Sequence, residues 1–439
     1  MMRRSLLVGT AACALLVSGC SWFDDDKQPP LPGERISILQ QSRTIEPDGL
    51  LASTDVRLPR PQNFPEWPQA GGYPDHALHH LALADSVKEA WRVSIGSGSG
   101  SDRMLLSMPI VAGDRIYAMD TDGQITALEA STGRRIWQFD VIPREERDPV
   151  VAGGIAFANG RIFAATGAAQ VVALSAADGK ELWRQPQQAP MRAAPTVVGD
   201  RIFVVTMDNQ LLALAQDDGR KLWSHSGIAE TATVMGGASP AAEGGVILAP
   251  FSSGELFALR SENGRIIWAD TLMTLRRADA VSALADIRGL PVIDRNLVLA
   301  VSHSGRFSAI DMRSGNRVWD RDIAGREQPW VAGDWVYLVS VTGEVYCLSR
   351  TDGKVKWATP LPQFERPDKK KDPIQWTGPV LAGDRLILTG SHGRAISMSP
   401  YSGEVLGEIK LPGKSFLPPI VANQTLYFLT DDAELVAYR

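Results

Sequence analysis

The sequence predicts an all-β chain folded as an eight-bladed β-propeller of four-stranded antiparallel blades, closed by an N-terminal strand that completes the C-terminal blade. Three observations predict it. A pattern of four short apolar segments separated by turns recurs along the chain. Its closing aromatic returns at intervals of 38 to 51 residues. The last copy lacks its fourth segment, and an unattached one of the right kind lies near Trp91. Four short strands at such a period mark propeller blades.

The first copy runs Pro109-Ile-Val-Ala-Gly113-Asp114-Arg115-Ile116-Tyr117, then Asp122-Gly123, Ala127-Leu128, Thr132-Gly133 and Ile136-Trp137. The Ala-Leu element returns at Ala173-Leu174, Ala213-Leu214 and Ala258-Leu259, and in altered form at Ala309-Ile310, Cys347-Leu348 and Ser397-Met398. The aromatic returns at Trp183, Trp223, Trp268, Trp319 and Trp357, with Leu406 taking the seventh slot. Turns carry Asp-Gly, Asn-Gly or Ser-Gly, where glycine accepts positive φ without a Cβ clash. Segments such as Arg201-Ile-Phe-Val-Val205 are apolar at consecutive positions, as strands covered on both faces must be. The small residue before the recurring leucine is read as letting sheets approach near the axis. The tryptophan is read as filling the wider gap between blades at larger radius.

The final copy, from Pro419 to Tyr438, ends before any tryptophan strand. Lys88-Glu-Ala-Trp91-Arg-Val93 has no strands of its own before it, and Trp91 lies 46 residues before Trp137, in phase. Pairing it with the last three strands gives an eighth blade and leaves no gap in the ring.

Residues 1–19 read as an export signal: Arg3 and Arg4, a short apolar run from Leu6 to Val17, then small residues. Leu15-Leu-Val-Ser-Gly-Cys20 resembles a bacterial lipobox, which makes Cys20 the expected lipidation site, anchored by acyl chains at roughly 0.8 kcal/mol per buried methylene. Ser21, not aspartate, follows the cysteine, which by lipoprotein sorting implies the periplasmic face of the outer membrane. Residues 20–65, with Asp24-Asp-Asp26 and Pro29-Pro30, read as a lipidated N-terminus and flexible tether, and residues 66–439 as the propeller. A net charge of −5 gives no footprint for nucleic acid. Of three cysteines, Cys13 lies in the signal, Cys20 is the anchor, and Cys347 occupies a slot that holds alanine elsewhere, so no intramolecular disulfide is expected.

The Ala-Leu, Asp/Ser-Gly and Trp elements together resemble the quinoprotein-type propeller repeat. That family divides into dehydrogenases holding pyrroloquinoline quinone and non-enzymatic relatives, chiefly the BamB family of outer-membrane assembly lipoproteins. The lipobox, the length, the split eighth blade, Trp67-Pro-Gln-Ala-Gly-Gly72 and Ala84-Asp-Ser-Val-Lys-Glu-Ala-Trp91 resemble the BamB branch. The resemblance implies a non-catalytic scaffold that binds the periplasmic domains of BamA and other assembly subunits, and possible handling of unfolded outer-membrane proteins, with no cofactor or metal. It also implies two contact loops. Val234 and Met235 fall in one, where Met235 stands in place of a common arginine. Asp286, Ile287 and Arg288 fall in the other, where Asp286 is retained and Arg288 replaces a second aspartate. From the residues alone, the 22 positions between Trp268 and Pro291 form an enlarged connection carrying Arg276-Arg277, and enlarged loops on rigid scaffolds are where binding concentrates.

The competing expectation is a periplasmic quinone-dependent dehydrogenase. Such enzymes usually carry an adjacent cysteine pair over the cofactor, and this sequence has none. Asp75-His76-Ala-Leu-His79-His80 is the one metal-like grouping, and it reads better as packing in the lead-in to the propeller. Gly96-Ser-Gly-Ser-Gly100 lacks the lysine and helix of a phosphate loop and reads as an inter-blade connection. Residues 362–373, with Lys369-Lys-Lys371, form an exposed insertion suited to solvent, an acidic partner or anionic headgroups.

Overall fold

The consecutive apolar residues of each repeat become its three inner strands. The computed structural model describes residues 45–101, 103–143, 153–230, 235–273 and 284–439. Among them, blade 1 occupies residues 110–140, blade 2 154–186, blade 3 196–226, blade 4 241–271, blade 5 292–321, blade 6 330–360 and blade 7 376–410. Each is a four-stranded antiparallel sheet in sequential order. In blade 3, Arg201–Val205 and Gln210–Ala215 are almost wholly buried while the outer Lys221–Ser226 is half-exposed. The signal residues 1–19 and Cys20 lie outside the described residues, and no described helix is long and apolar enough to cross a membrane.

Blade 8 is assembled from both parts of the chain, as the split repeat predicts. Ile420–Ala422, Thr425–Leu429 and Glu434–Tyr438 receive Glu89–Ser94 as the outer strand, with Trp91 opposite Ala437. Lys88 and Arg439 exchange both backbone hydrogen bonds, at 2.7 and 2.9 Å.

The recurring Ala-Leu element marks a β-bulge. Ala127 pairs with Trp137 and Leu128 with Arg135, leaving Ile136 as the extra residue of the outer strand. The same shift occurs at Ala173, Ala213, Ala258, Ala309, Cys347 and Ser397. A bulge re-aims the side chain beside it, and here that side chain is the tryptophan. The small residue therefore sits on the third strand facing the indole, not near the axis as the sequence reading has it. Each indole crosses to the next blade: Trp137 donates from Nε1 to Ala176 O at 3.1 Å and lies against Gly179. Gly179 has φ 74°, and a Cβ there would sit 2.7 Å from the ring. Trp91, Trp183, Trp223, Trp268, Trp319 and Trp357 repeat this contact at 2.8 to 3.2 Å.

The register corrects the seventh slot. Ser397 pairs with Gly407 and Met398 with Val405, so Leu406 is the extra bulge residue and Gly407 stands where the tryptophan would be. The third and fourth strands of blade 8 are not consecutive in sequence, so no tight turn presents a carbonyl and a glycine to an indole from blade 7. The seam instead holds an apolar groove of about 160 Å³ lined by Leu83, Val87, Ile387, Ile396, Ile409 and Leu426.

The stretch expected as tether differs from Ile45 onward. Asp48 N–H donates to Val355 O, Lys356 Nζ donates to Leu51 O, and Val56 is buried. Beyond it, residues 64–83 thread the axis and bond to every blade in turn. Innermost strands have an edge with unpaired backbone groups, and this segment satisfies several of them. Phe64 O accepts from Asn423 N of blade 8, Trp67 exchanges two bonds with Val111 of blade 1, and Pro68 O accepts from Phe157 N of blade 2. The Gln69 amide bonds both N–H and C=O of Val197 in blade 3, each at 2.9 Å. Pro74 O and Asp75 O accept from Ala242 and Ile293 of blades 4 and 5, His79 O from the Trp330 indole of blade 6, and Leu81 N–H donates to Leu381 O of blade 7. Trp67, fully buried, stacks on Trp330 with centroids 6.4 Å apart. The axis is plugged by the chain's own lead-in.

Candidate functional site at the axial mouth

Every blade begins at the same end of the axis, where the connection from the previous outer strand turns inward. Three residues before the blade-opening proline, one residue faces the axis: Arg192 before Pro195, Gly237 before Pro240, Arg288 before Pro291, Arg326 before Pro329, Phe416 before Pro419 and Leu106 before Pro109. These six line an open cup of about 100 Å³, with Ala70 of the plug beneath them. Its wall is divided: arginines come from blades 3, 5 and 6, and apolar groups from blades 8 and 1.

The two loops singled out in the sequence meet here. Arg192, nearly fully buried, donates from Nη2 to Gly236 O at 3.0 Å and to Asp286 Oδ2 at 2.8 Å, tying the loop of Met235 to the loop of Asp286. Gly237 lies so close that a Cβ would sit 2.6 Å from Arg192 Nε. Asp286 is 1% exposed, and its backbone oxygen accepts from His303 N at 2.9 Å. Ile287 is buried in the core between blades 4 and 5. Arg288 turns into the cup, with Nη1 3.8 Å from Glu327 Oε1. Met235 is half-exposed on the rim. Val234 and the Arg276-Arg277 stretch lie outside the described residues.

The electrostatics of the cup are lopsided. Arg326 donates from Nε to His303 Nδ1 at 3.0 Å, which puts the imidazole proton on Nε2. Burial, with Arg326 and Arg288 adding to it, pushes His303 down to about 4, so it accepts as a neutral ring. Burial and the neighbouring Arg288 also lower the Arg326 guanidinium from its ordinary value. Burial raises Glu327, against the opposing pull of both arginines. Sequence reasoning missed Arg192, Arg326 and Glu327. The signal for both arginines was a fixed offset from the repeat proline.

The histidine cluster is dispersed. His76 is buried and donates from Nδ1 to Pro291 O at 2.7 Å, and burial lowers it to about 4. His79 faces Asp294 at 3.5 Å. His80 donates to Pro59 O and accepts from Asp384 N–H. The lysine insertion forms a hairpin, Phe364–Arg366 with Lys371–Pro373, held by Arg366 and Asp372 at the mouth end between blades 6 and 7.

A quinone cofactor does not fit this cup. Small-molecule pockets run to roughly 300–1,000 Å³, against about 100 Å³ here above a filled axis. Among the described residues no group of three or more histidine, cysteine and acidic side chains is placed to hold a metal. Cys347 is the one cysteine among the described residues, and it is buried.

Fold and mouth together define a quinoprotein-type propeller whose axial end is built of side chains. Known proteins agree. The sequence profile described as outer membrane protein assembly factor BamB matches residues 143–359, and that of the glucose/ethanol/alcohol dehydrogenase β-propeller domain matches residues 82–182. An outer membrane protein assembly factor BamB of Alkalilimnicola ehrlichii is 36% identical over 355 residues, covering 81% of this chain and 88% of the relative. The chain belongs to the BamB family. In fold it is similar to the crystal structure of BamB from Moraxella catarrhalis, with a TM-score of 0.65, 18% identity, and coverage of 81% of this chain and 98% of that one. It is also similar in fold to a quinohemoprotein alcohol dehydrogenase from Pseudomonas putida, with a TM-score of 0.66, 13% identity, and coverage of 85% and 80%.

Proposed function

We propose that this protein is a non-catalytic scaffold lipoprotein of the outer-membrane β-barrel assembly machinery, held by Cys20 at the periplasmic face of the outer membrane and docking the periplasmic domains of BamA at its axial mouth. The observation that carries the reading is the Arg192 bridge. It fixes the Met235 loop to the Asp286 loop, so two segments far apart in sequence present one rigid surface. Rigid presentation lowers the ordering cost of association. Val234, Met235 and Arg288 make the contact, while Asp286 and Ile287 hold the second loop from beneath. The hairpin at 364–373 extends the same face.

The test is retention of a BamA periplasmic fragment by the immobilised mature protein. Association at micromolar concentration or tighter is expected, and a folded protein that fails to retain the fragment overturns the assignment. Adding pyrroloquinoline quinone with calcium addresses the dehydrogenase reading. Neither a bound-cofactor absorbance change nor dye reduction is expected, and either one contradicts the scaffold reading.

A further inference from the structure

The division of the cup wall has a chemical meaning. The position three residues before the blade-opening proline carries arginine in blades 3, 5 and 6, glycine in blade 4, and an apolar residue in blades 8 and 1. Arg192 is consumed by Asp286 at 2.8 Å, and Gly237 brings no side chain, its backbone packed directly against Arg192. Arg288 has one acid, Glu327, at a loose 3.8 Å. Arg326 bonds only a neutral histidine, and among the described residues no carboxylate is within ion-pair distance of it. Two guanidinium groups thus share one partly engaged carboxylate. Across the cup, Leu106 and Phe416 supply an apolar wall. The floor is closed by Ala70, so whatever enters comes from the mouth and stops there.

We propose that the axial cup is a carboxylate-binding site that takes one acidic side chain, flanked by apolar residues, from an extended segment of a partner protein. This deepens the docking reading and rests on it. The planar fork of arginine matches a carboxylate in a bidentate fashion. The excess of positive charge in a recess sheltered from solvent makes an entering anion favourable. A volume of about 100 Å³ holds one side chain and excludes a folded element. The apolar arc covers the residue next to the acid, which selects acidic-apolar segments over simple anions.

The experiment uses the full mature protein and a fluorescein-labelled peptide of alternating leucine and glutamate, read by fluorescence anisotropy at low salt, beside its leucine-glutamine counterpart. The acidic peptide is expected to bind about tenfold more tightly than the amide peptide, and the double variant Arg288→Ala, Arg326→Ala to lose about tenfold in affinity. Lys180→Ala, exposed in the turn between the third and fourth strands of blade 2 at the opposite end, is expected to bind as wild type. Arg288→Lys with Arg326→Lys keeps the charge and loses the fork, so a folded lysine variant with weakened binding supports the geometry. Equal binding of the two peptides, or undiminished binding by the folded double variants, overturns the proposal. Displacement of the peptide by equimolar inorganic phosphate or by phosphatidylglycerol vesicles also overturns it, by assigning the cup to phosphate-bearing ligands. Retention of the BamA fragment is measured on the same preparations. If the fragment is held while the acidic peptide is not, the cup assignment falls and the scaffold reading stands; if neither is held, both fall.

Discussion

The two ends of the propeller axis solve opposite problems with the same repeat. At the plugged end, residues 64–83 bond to the inner strands, and the charged turn residues there, such as Asp114, stand out in solvent away from the axis. At the mouth, the corresponding chain positions carry arginines whose charges are only partly matched. One end shows what closing a ring requires, and the other what remains available once it is closed. Stability and docking should therefore respond to different substitutions.

The largest effect is expected at the plug. Trp67→Ala removes a fully buried indole stacked on Trp330 and should cost roughly 3–5 kcal/mol in denaturant unfolding. Its docking, measured below the new unfolding midpoint, should be intact. Gln69→Ala strands both backbone groups of Val197 and should cost about 1–3 kcal/mol.

Asp286→Ala tests whether the mouth has a structural layer beneath its docking layer. It leaves Arg192 buried without its acid, and about 3–5 kcal/mol of stability should be lost, with docking weakened as the two loops uncouple. Asp286→Ala that docks normally would mean the Arg192 bridge does not position the surface.

Acid should loosen both ends together. His76 in the plug and His303 at the mouth each sit near 4 in the folded protein, against an ordinary 6.5. The unfolded chain takes up protons below about pH 6.5 that the folded chain refuses until about pH 4. Stability from these groups is thus full above 6.5 and declines as pH falls toward 4, by about 3 kcal/mol for the buried His76. His76→Asn keeps a donor for Pro291 and suits the positive φ of 60°, so its unfolding curve should be flatter across that window. An unchanged slope contradicts the assignment of His76 as a buried neutral ring.

The smallest stability effect belongs to Met235. Half-exposed on the rim, Met235→Asp should change unfolding by under about 0.5 kcal/mol and still weaken docking several-fold.

The blade count and the closing strand were legible because both repeat: Trp91 keeps phase with Trp137, and a sheet short of one strand demands a donor. The plug was not, because each of its residues answers a different blade and no period results. Gly407 was hidden by the bulge, which shifts register by one and makes Leu406 look like the tryptophan's substitute. At the site, both loops could be placed from the sequence. The burial of Asp286 could not, since it depends on Arg192, 94 residues away, nor that of Ile287, which depends on the core between blades 4 and 5.

Photo-crosslinking compares the two ends most directly. A benzoylphenylalanine placed at Met235, on the mouth, and another at Asp114, in the turn at the opposite end of blade 1, are carried by otherwise native protein in cells. The account predicts crosslinks to the assembly subunit's periplasmic domains from position 235 and none from 114. Crosslinks from 114 with none from 235 would contradict it.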